Sequence, residues 1–131
     1  MKEKTFNDFN KALDKLKTAI SLDIKEDIVR DAIIKRFEFT YELAWKTLKR
    51  FIEFKGDTCI SPRDCFKKGF KYSFILYNED WLEMIEARNL TSHTYSEEKA
   101  LAIIKSIHNK FLPLFIELEK NLKKTLTEET N

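Results

Sequence analysis

Apolar residues recur every three or four positions along most of this chain, which is the spacing of one face of an α-helix. The first apolar stripe predicts a helix from Thr5 to near Ser21 and comprises Phe6, Phe9, Leu13, Leu16 and Ile20. The second stripe predicts a longer helix from about Lys25 to Gly56, with Ile28, Val29, Ala32, Ile33, Phe37, Tyr41, Ala44, Trp45, Leu48 and Ile52. Glycine often follows a helix C-terminus, so Gly56 is a natural end. A helix of about 30 residues would be roughly 45 Å long.

Capping residues indicate where the next helix begins. Ser61 suits the N-cap, Pro62 suits the first helical position, and Asp64 lies where a capping-box acid would lie. We therefore predict a short helix from Pro62 to about Tyr72.

Two more helices complete the predicted set. Asn78 is the candidate cap of a fourth helix, whose apolar residues are Trp81, Leu82, Met84 and Ile85. Ser96 is the capping residue of a fifth, with Leu101, Ile104, Ile107, Phe111, Leu114, Phe115 and Leu118, and Pro113 should kink or break it near its middle. The pattern predicts an all-α fold, an up-and-down four-helix bundle with one additional short helix. We expect residues 1–131 to form a single domain with frayed tails at 1–4 and 123–131.

Composition narrows the class of protein. The 131 residues are 43% hydrophobic and 35% charged, with two Gly and two Pro, as expected for a soluble helical domain. A net charge of +2 gives no overall field typical of a nucleic-acid-binding protein. Cys59 and Cys65 lack the spacing of metal ligands, so we expect no metal site and two unpaired thiols. With no signal peptide and no apolar run of membrane length, the expected location is the cytoplasm, away from any membrane.

One segment departs from the apolar pattern. Residues 88–95 are almost entirely polar and comprise Arg88, Asn89, Leu90, Thr91, Ser92, His93, Thr94 and Tyr95. On a straight helix Arg88 and His93 would lie about 140° apart, whereas Asn89 and His93 would be neighbours. Either the helix ends before His93, or Arg88 and His93 meet through a second copy of the chain.

These residue types can perform phosphate chemistry. Histidine can take or give a proton at neutral pH, and arginine can hold a phosphate with two parallel hydrogen bonds. His93 and Arg88 could therefore cleave RNA without a metal, through attack of the ribose 2′-OH on its own phosphate. Asn89, Thr91 or Ser92 could donate hydrogen bonds to the phosphate oxygens. The alternative is a capping and hydrogen-bonding cluster at a helix end.

The sequence resembles a known family at this segment. "RNLTSHTY" has the R-x4-H-x-Y form of the motif of HEPN domains (higher eukaryotes and prokaryotes nucleotide-binding). The blocks "RFEFTYELAWKTLKRF", "SPRDCFKKGF" and "WLEMIEARNLTSHTYSEEKA" resemble nucleotidyltransferase substrate-binding subunits, and the resemblance extends from about residue 6 to about residue 120. It implies a helical bundle that forms a homodimer with the two motifs facing each other. It also implies a partner, a minimal nucleotidyltransferase encoded nearby.

The resemblance leaves two functions open. In one branch the HEPN subunit is an endoribonuclease of a toxin–antitoxin module, with Arg88 and His93 as catalytic residues. Its partner silences it by transferring a nucleotide to the motif tyrosine, here Tyr95. In the older description the subunit is not catalytic and presents an RNA or nucleotide substrate to the nucleotidyltransferase. A third possibility is a purely structural interaction domain. We favour the ribonuclease, which needs no cofactor of its own.

A second basic feature lies outside the motif. Arg63, Lys67 and Lys71 recur every four residues along the third predicted helix, with Lys68 beside them. This ridge could guide an RNA backbone or an acidic partner, or it could be an ordinary solvated face.

Overall fold

Every regular element of the described residues, 2–94 and 96–129 of the computed structural model, is helical. The α-helices are α1 (Lys2–Ile20), α2 (Asp27–Phe54), α3 (Pro62–Lys71), α4 (Asp80–Leu90), α5 (Glu97–Ser106) and α6 (Leu112–Glu129). A 3₁₀ turn, Thr91–His93, follows α4, and a π-helical turn, Ile107–Phe111, joins α5 to α6. The predicted all-α class is confirmed. None of the helices in these ranges has the length and hydrophobicity that a membrane span requires.

The helices run up and down around an aromatic core. Hydrogen bonds from Thr47 to the carbonyl of Thr5 and from Arg36 to the carbonyl of Lys15 show that α1 and α2 are antiparallel. The consecutive helices α5 and α6 form one bundle member, α4 forms another, and α3 is the additional short helix. At the centre, rings from three of these members meet with centroids 5.6–6.2 Å apart, namely those of Phe9, Phe37, Phe111 and Phe115. Edge-to-face and offset contacts of this kind stabilise a core beyond its buried area.

The long helix α2 ends at Phe54, as the glycine predicted. Gly56 has φ = 84°, a conformation that side chains with a Cβ rarely adopt. Its N–H donates to the carbonyl of Glu53 at 2.9 Å, and the N–H of Asp57 donates to the carbonyl of Ile52 at 3.3 Å. This is the Schellman pattern, which satisfies the last carbonyls of the helix.

Side-chain caps fix the starts of α3 and α5. Ser61 Oγ accepts from the N–H of Asp64 at 3.1 Å, and the Asp64 carboxylate accepts from the N–H of Ile60 at 3.0 Å. Ser96 Oγ accepts from the N–H of Lys99 at 3.2 Å. The caps predicted at Ser61 and Ser96 are confirmed. The N-cap of α4 is Glu79 and not the predicted Asn78, although the side-chain oxygen of Asn78 accepts from the N–H of Asp80.

The sequence predicted a kink or break at Pro113, and the structure has a widened turn beside this residue but no end of the helical path. The chain stays helical through Pro113, and the π-helical turn ends two residues before it, with the N–H of Leu112 donating to the carbonyl of Ile107. Proline supplies no N–H for the preceding turn and its ring crowds the carbonyl four residues earlier. A widened turn accommodates that ring without ending the helix.

The expectation of two unpaired thiols was wrong. Cys59 and Cys65 form a disulfide, with Cα atoms 5.1 Å apart, and both are fully buried. The Schellman end of α2 turns the chain back toward the start of α3, which brings the two half-cystines together. The two cysteines therefore do not indicate a reducing compartment.

Helical structure extends into both segments for which we expected frayed tails. α1 begins at Lys2 and α6 continues to Glu129, and the two residues form an ion pair at 3.0 Å. Fraying in solution and the single-domain assignment remain predictions.

Candidate functional site

The polar motif lies at the end of α4. This helix ends at Leu90, before His93, and the 3₁₀ turn places Ser92 and His93 at the surface. Arg88 lies in the last turn of the helix and Asn89 is exposed. The first of the two geometric alternatives, a helix that ends before His93, is therefore observed within one chain.

Arg88 is held against α2 by two carboxylates. Its Nη1 lies 3.1 Å from Glu38 Oε2, and its Nε lies 3.8 Å from Glu42 Oε1. Nε is buried and has no hydrogen-bond partner among the described residues, because Glu42 is too distant for a hydrogen bond. About a third of the Arg88 side chain stays exposed, at 30%. The guanidinium is thus fixed on its α2 side and accessible on the other.

Thr91 is a buried member of the same hydrogen-bond network. Its hydroxyl accepts from Arg88 Nη1 at 3.0 Å and lies 2.7 Å from both Glu38 Oε2 and the carbonyl oxygen of Arg88. One hydroxyl proton can serve only one of these two acceptors at a time. Thr91 is buried, so its hydroxyl links α4 to α2 and points away from solvent.

Local hydrogen bonds shape the turn that carries His93. Ser92 Oγ donates to the carbonyl of Asn89 at 3.4 Å, and Thr94 Oγ1 donates to the carbonyl of Thr91 at 3.1 Å. Of the three residues predicted to bind substrate, Asn89 and Ser92 lie at the surface and Thr91 does not. Tyr95, the predicted modification site, lies outside the described residues.

The acidic residues around Arg88 were missed by the sequence reasoning. Glu38 and Glu42 are one turn apart on α2, and Trp45 one turn further on donates its indole N–H to Glu42 at 3.1 Å. Two acids spaced by four residues beside an apolar stripe were the available signal. Nothing in the sequence indicated that this face of α2 would contact Arg88.

Tyr41 lies beside the cluster but does not act as an acid or base at neutral pH. Burial raises the pKa of its hydroxyl to about 12, with a further rise from the Glu42 carboxylate and an opposing effect of Arg88. It remains protonated and belongs to the core, where its ring contacts Phe37 and Phe66.

The charges define where an anion can approach. Glu38 also lies 3.8 Å from Lys35, but the two carboxylates still dominate the α2 side of Arg88. A phosphate must therefore approach Arg88 from the side turned away from these carboxylates, and the exposed turn with His93 follows Arg88 directly along the chain. Across residues 2–94 and 96–129, no group of three or more His, Cys, Asp or Glu side chains is arranged to hold a metal ion.

Comparisons with known proteins identify the family. The family model described as "nucleotidyltransferase substrate binding protein like" matches residues 4–124. The chain belongs to this family. The family assignment made from the sequence blocks and the R-x4-H-x-Y motif is confirmed.

One curated relative is named as an enzyme. The chain is 34% identical to a probable ribonuclease HepT of Haemophilus influenzae, over 65% of this chain and 64% of that protein. The match therefore spans a little less than two thirds of the relative's length.

Two solved structures share the fold. One, from Haemophilus influenzae, is described as the fold of a substrate-binding domain of a nucleotidyltransferase. It has a TM-score of 0.80 and 25% identity over 90% of this chain and 98% of that one. The other, a protein of Thermus thermophilus, has a TM-score of 0.74 and 32% identity with the same coverage. Both comparisons confirm the helical bundle.

Proposed function

We propose that this protein is the HEPN subunit of a two-component module with a minimal nucleotidyltransferase, and that it is a metal-independent endoribonuclease. The observation that carries the proposal is the placement of Arg88. Its guanidinium is held by Glu38 and Thr91 at the end of α4, directly before the exposed turn with His93. The relative named as a probable ribonuclease supports the same activity.

The reaction needs only these groups and the RNA itself. The ribose 2′-oxygen attacks the adjacent phosphorus, so a P–O2′ bond forms while the P–O5′ bond breaks. The 2′-hydroxyl loses its proton and the departing 5′-oxygen gains one, which leaves a 2′,3′-cyclic phosphate and a 5′-hydroxyl. His93 moves protons in these steps, and Arg88 stabilises the negative charge on the phosphoryl oxygens.

A homodimer would complete the site. With two motif copies facing each other, Arg88 of one protomer can serve the partner's His93. Two histidines at one phosphate would supply both a base for the 2′-hydroxyl and an acid for the leaving oxygen.

Regulation would act through Tyr95, two residues beyond His93. The tyrosine oxygen attacks the α-phosphorus of a nucleoside triphosphate, pyrophosphate leaves, and the proton passes to solvent. The partner supplies the triphosphate and the metal for this step. The new phosphodiester adds negative charge close to His93, which would repel the RNA backbone.

RNA cleavage assays of the His93→Ala and Arg88→Ala variants test the proposed activity. We expect His93→Ala to keep its helical circular dichroism and melting temperature while cleavage falls by roughly 10²- to 10⁴-fold. His108→Ala is the matched control, because His108 is the other of the two histidines and is also exposed. Equal loss in both histidine variants, or no loss in either, would contradict the assignment.

Intact-mass measurement after co-expression with the neighbouring nucleotidyltransferase tests the regulation. We expect a mass increase by whole nucleotide units that disappears in Tyr95→Phe. Tyr77→Phe is the control, because Tyr77 is an exposed tyrosine outside the motif.

The second candidate is a substrate-presenting subunit, favoured by the solved structure described as a substrate-binding domain of a nucleotidyltransferase. It predicts stable co-purification with the nucleotidyltransferase, no RNA cleavage, and loss of nucleotidyl transfer when Arg88 or His93 is replaced.

A further inference from the structure

An aromatic groove lies between α3, α4 and the segment that joins them, and none of its lining residues belongs to the R-x4-H-x-Y motif. We call it the α3–α4 groove; its cavity volume is about 330 Å³. Its floor is formed by the buried rings of Phe66 and Trp81, with centroids 4.8 Å apart. Its walls are formed by Phe70 and Tyr77, which are 50% and 67% exposed. Such exposure of large aromatic rings around a concave surface is typical of a ligand site.

The two wall rings contact each other edge to face and together form an exposed aromatic corner. The Phe70 and Tyr77 centroids lie 5.6 Å apart with an interplanar angle of 68°. One ring can therefore stack on the face of a planar ligand while the other contacts its edge. The volume, at the lower end of small-ligand pockets, suits one nucleobase with its sugar.

The rim of the groove carries positive charge that no described side chain neutralises. Lys67 lines the groove and Arg63 lies one helical turn before it; both are exposed, and neither side chain has a hydrogen bond or ion pair within the described ranges. In contrast, Lys68 and Lys71 lie 3.1 and 3.7 Å from Asp57. The basic ridge predicted from the sequence thus consists of two pairs of cations. Lys68 and Lys71 are neutralised by Asp57, whereas Arg63 and Lys67, beside the groove, can bind an anionic ligand.

The groove also offers a directional hydrogen-bond donor. The side-chain oxygen of Asn78, a residue of the groove, accepts from the N–H of Asp80 at 2.9 Å. This bond turns the amide oxygen toward α4 and leaves the amide N–H groups of Asn78 for an acceptor on a base edge.

Helix α4 connects the groove to Arg88. Trp81 and Arg88 are seven residues apart and lie on nearly the same face of the helix. The separation is about 10 Å along the axis, at 1.5 Å per residue. This is roughly the length of three stacked nucleotides at 3.4 Å each.

We propose that the α3–α4 groove is a base-binding subsite for single-stranded RNA. Phe70 and Tyr77 hold one base, and Lys67 and Arg63 contact the adjoining phosphates. Aromatic stacking combined with unpaired cations is the usual design of single-strand binding surfaces. A protein partner would suit the apolar rings but would have to bury two cations, whereas phosphates neutralise them. The subsite rests on the proposed function for its RNA substrate, but it binds RNA whether or not cleavage occurs.

Binding of an RNA that cannot be cleaved tests the subsite separately from catalysis. The probe is a fluorescently labelled single strand with 2′-O-methyl riboses, which lack the attacking hydroxyl, and binding is followed by fluorescence anisotropy. We expect Phe70→Ala and Tyr77→Ala each to weaken binding about 5- to 100-fold. Lys67→Glu should weaken binding and reduce the slope of log K against log salt by about 1.

Matched variants control for general effects of the substitutions. Phe39→Ala removes an aromatic ring of similar exposure on α2, and Lys123→Glu reverses an exposed charge on α6. Both should bind the probe within about twofold of the unaltered protein, since neither residue lines the groove. A probe carrying one 4-thiouridine should form photo-crosslinks to Phe70 or Tyr77, identified by mass spectrometry.

Two results would overturn the subsite. One is unchanged RNA affinity in both Phe70→Ala and Tyr77→Ala. The other is loss of dimerisation or of nucleotidyltransferase binding in these variants with RNA affinity intact, which would make the groove a protein interface. Failure of the proposed ribonuclease would look different: unmodified RNA would stay uncut, while binding of the 2′-O-methyl probe would still depend on Phe70 and Tyr77.

Discussion

The Glu38 carboxylate is the main anchor of Arg88, so replacing it with the isosteric amide should destabilise the protein measurably. Glu38 Oε2 lies 3.1 Å from Arg88 Nη1 and 2.7 Å from the Thr91 hydroxyl. A hydrogen bond to a charged group contributes about 1.5–3 kcal/mol. The side chains of Glu38 and Arg88 are 18% and 30% exposed, so solvent screens part of the interaction energy. Glu42, at 3.8 Å from Arg88, remains as a second carboxylate. We expect Glu38→Gln to lower the free energy of unfolding by about 1–2 kcal/mol.

A double-mutant cycle isolates the interaction. Urea unfolding of Glu38→Gln, Arg88→Gln and the double variant gives the coupling energy between the two side chains. The reference is the same cycle on Arg50 and Glu53, whose atoms are 3.2 Å apart but whose side chains are 52% and 38% exposed. That exposed pair should show a coupling of only about 0.2–0.5 kcal/mol.

Comparing the coupling energies from the two cycles shows whether Glu38 anchors Arg88. A coupling of about 1 kcal/mol or more between residues 38 and 88 would support the anchoring role. A coupling no larger than that of the 50–53 pair would refute it, because the two ion-pair distances are nearly equal while the 38–88 pair is more buried and is also hydrogen-bonded through Thr91. Under the proposed function Glu38→Gln should also slow RNA cleavage without unfolding the protein, since the guanidinium would be less well placed.

Three further predictions concern stability. Hydrogen bonds from the Tyr72 hydroxyl, a backbone N–H and a lysine hold the pKa of Asp57 well below its usual range. The ionised Asp57 therefore contributes fully to the free energy of unfolding above about pH 5, and this contribution is lost as the pH falls toward that low pKa. In urea unfolding at several pH values, Asp57→Asn should show a smaller decrease in the free energy of unfolding on the acid side. An unaltered dependence on pH would contradict this. Cys59→Ser opens the disulfide and should lower the free energy of unfolding by about 2 kcal/mol; equal melting temperatures for variant and oxidised parent would argue against the bond. Phe37→Ala removes a fully buried ring and should cost about 3–5 kcal/mol in urea unfolding, and a loss below about 1 kcal/mol would show that the core is not packed around it.

The helices and their ends could be predicted because their signals are local. Ser61 and Ser96 cap the helices that follow them, and Gly56 ends α2, since each acts on backbone groups within a few residues. The kink or break expected at Pro113 is present only as a widened turn beside it. Proline indicates that one hydrogen bond is missing, but packing on both sides of the residue decided that the helix continues through a widened turn.

The candidate site could be predicted only in part. The motif placed Arg88 and His93 near a helix end, and the structure has them there. The partners of Arg88 were not predictable, because Glu38 lies 50 residues earlier and meets it only through the packing of α2 against α4. The disulfide was missed in a similar way, since two cysteines six residues apart can pair only if the turn between them brings their Cα atoms close.

By itself the sequence determined the helical class, most of each buried face and the family motif, because these depend on periodicity and on neighbouring residues; the exception is Ile28, which lies on the predicted stripe of α2 but is exposed. Only the tertiary structure decided which charged side chains form ion pairs within the chain. It gave Arg88 two carboxylates, paired Lys68 and Lys71 with Asp57, and left Lys67 without an ion pair among the described residues, beside exposed aromatic rings. The physical reason is that an ion pair depends on distance in space, which only the packing of separate helices sets.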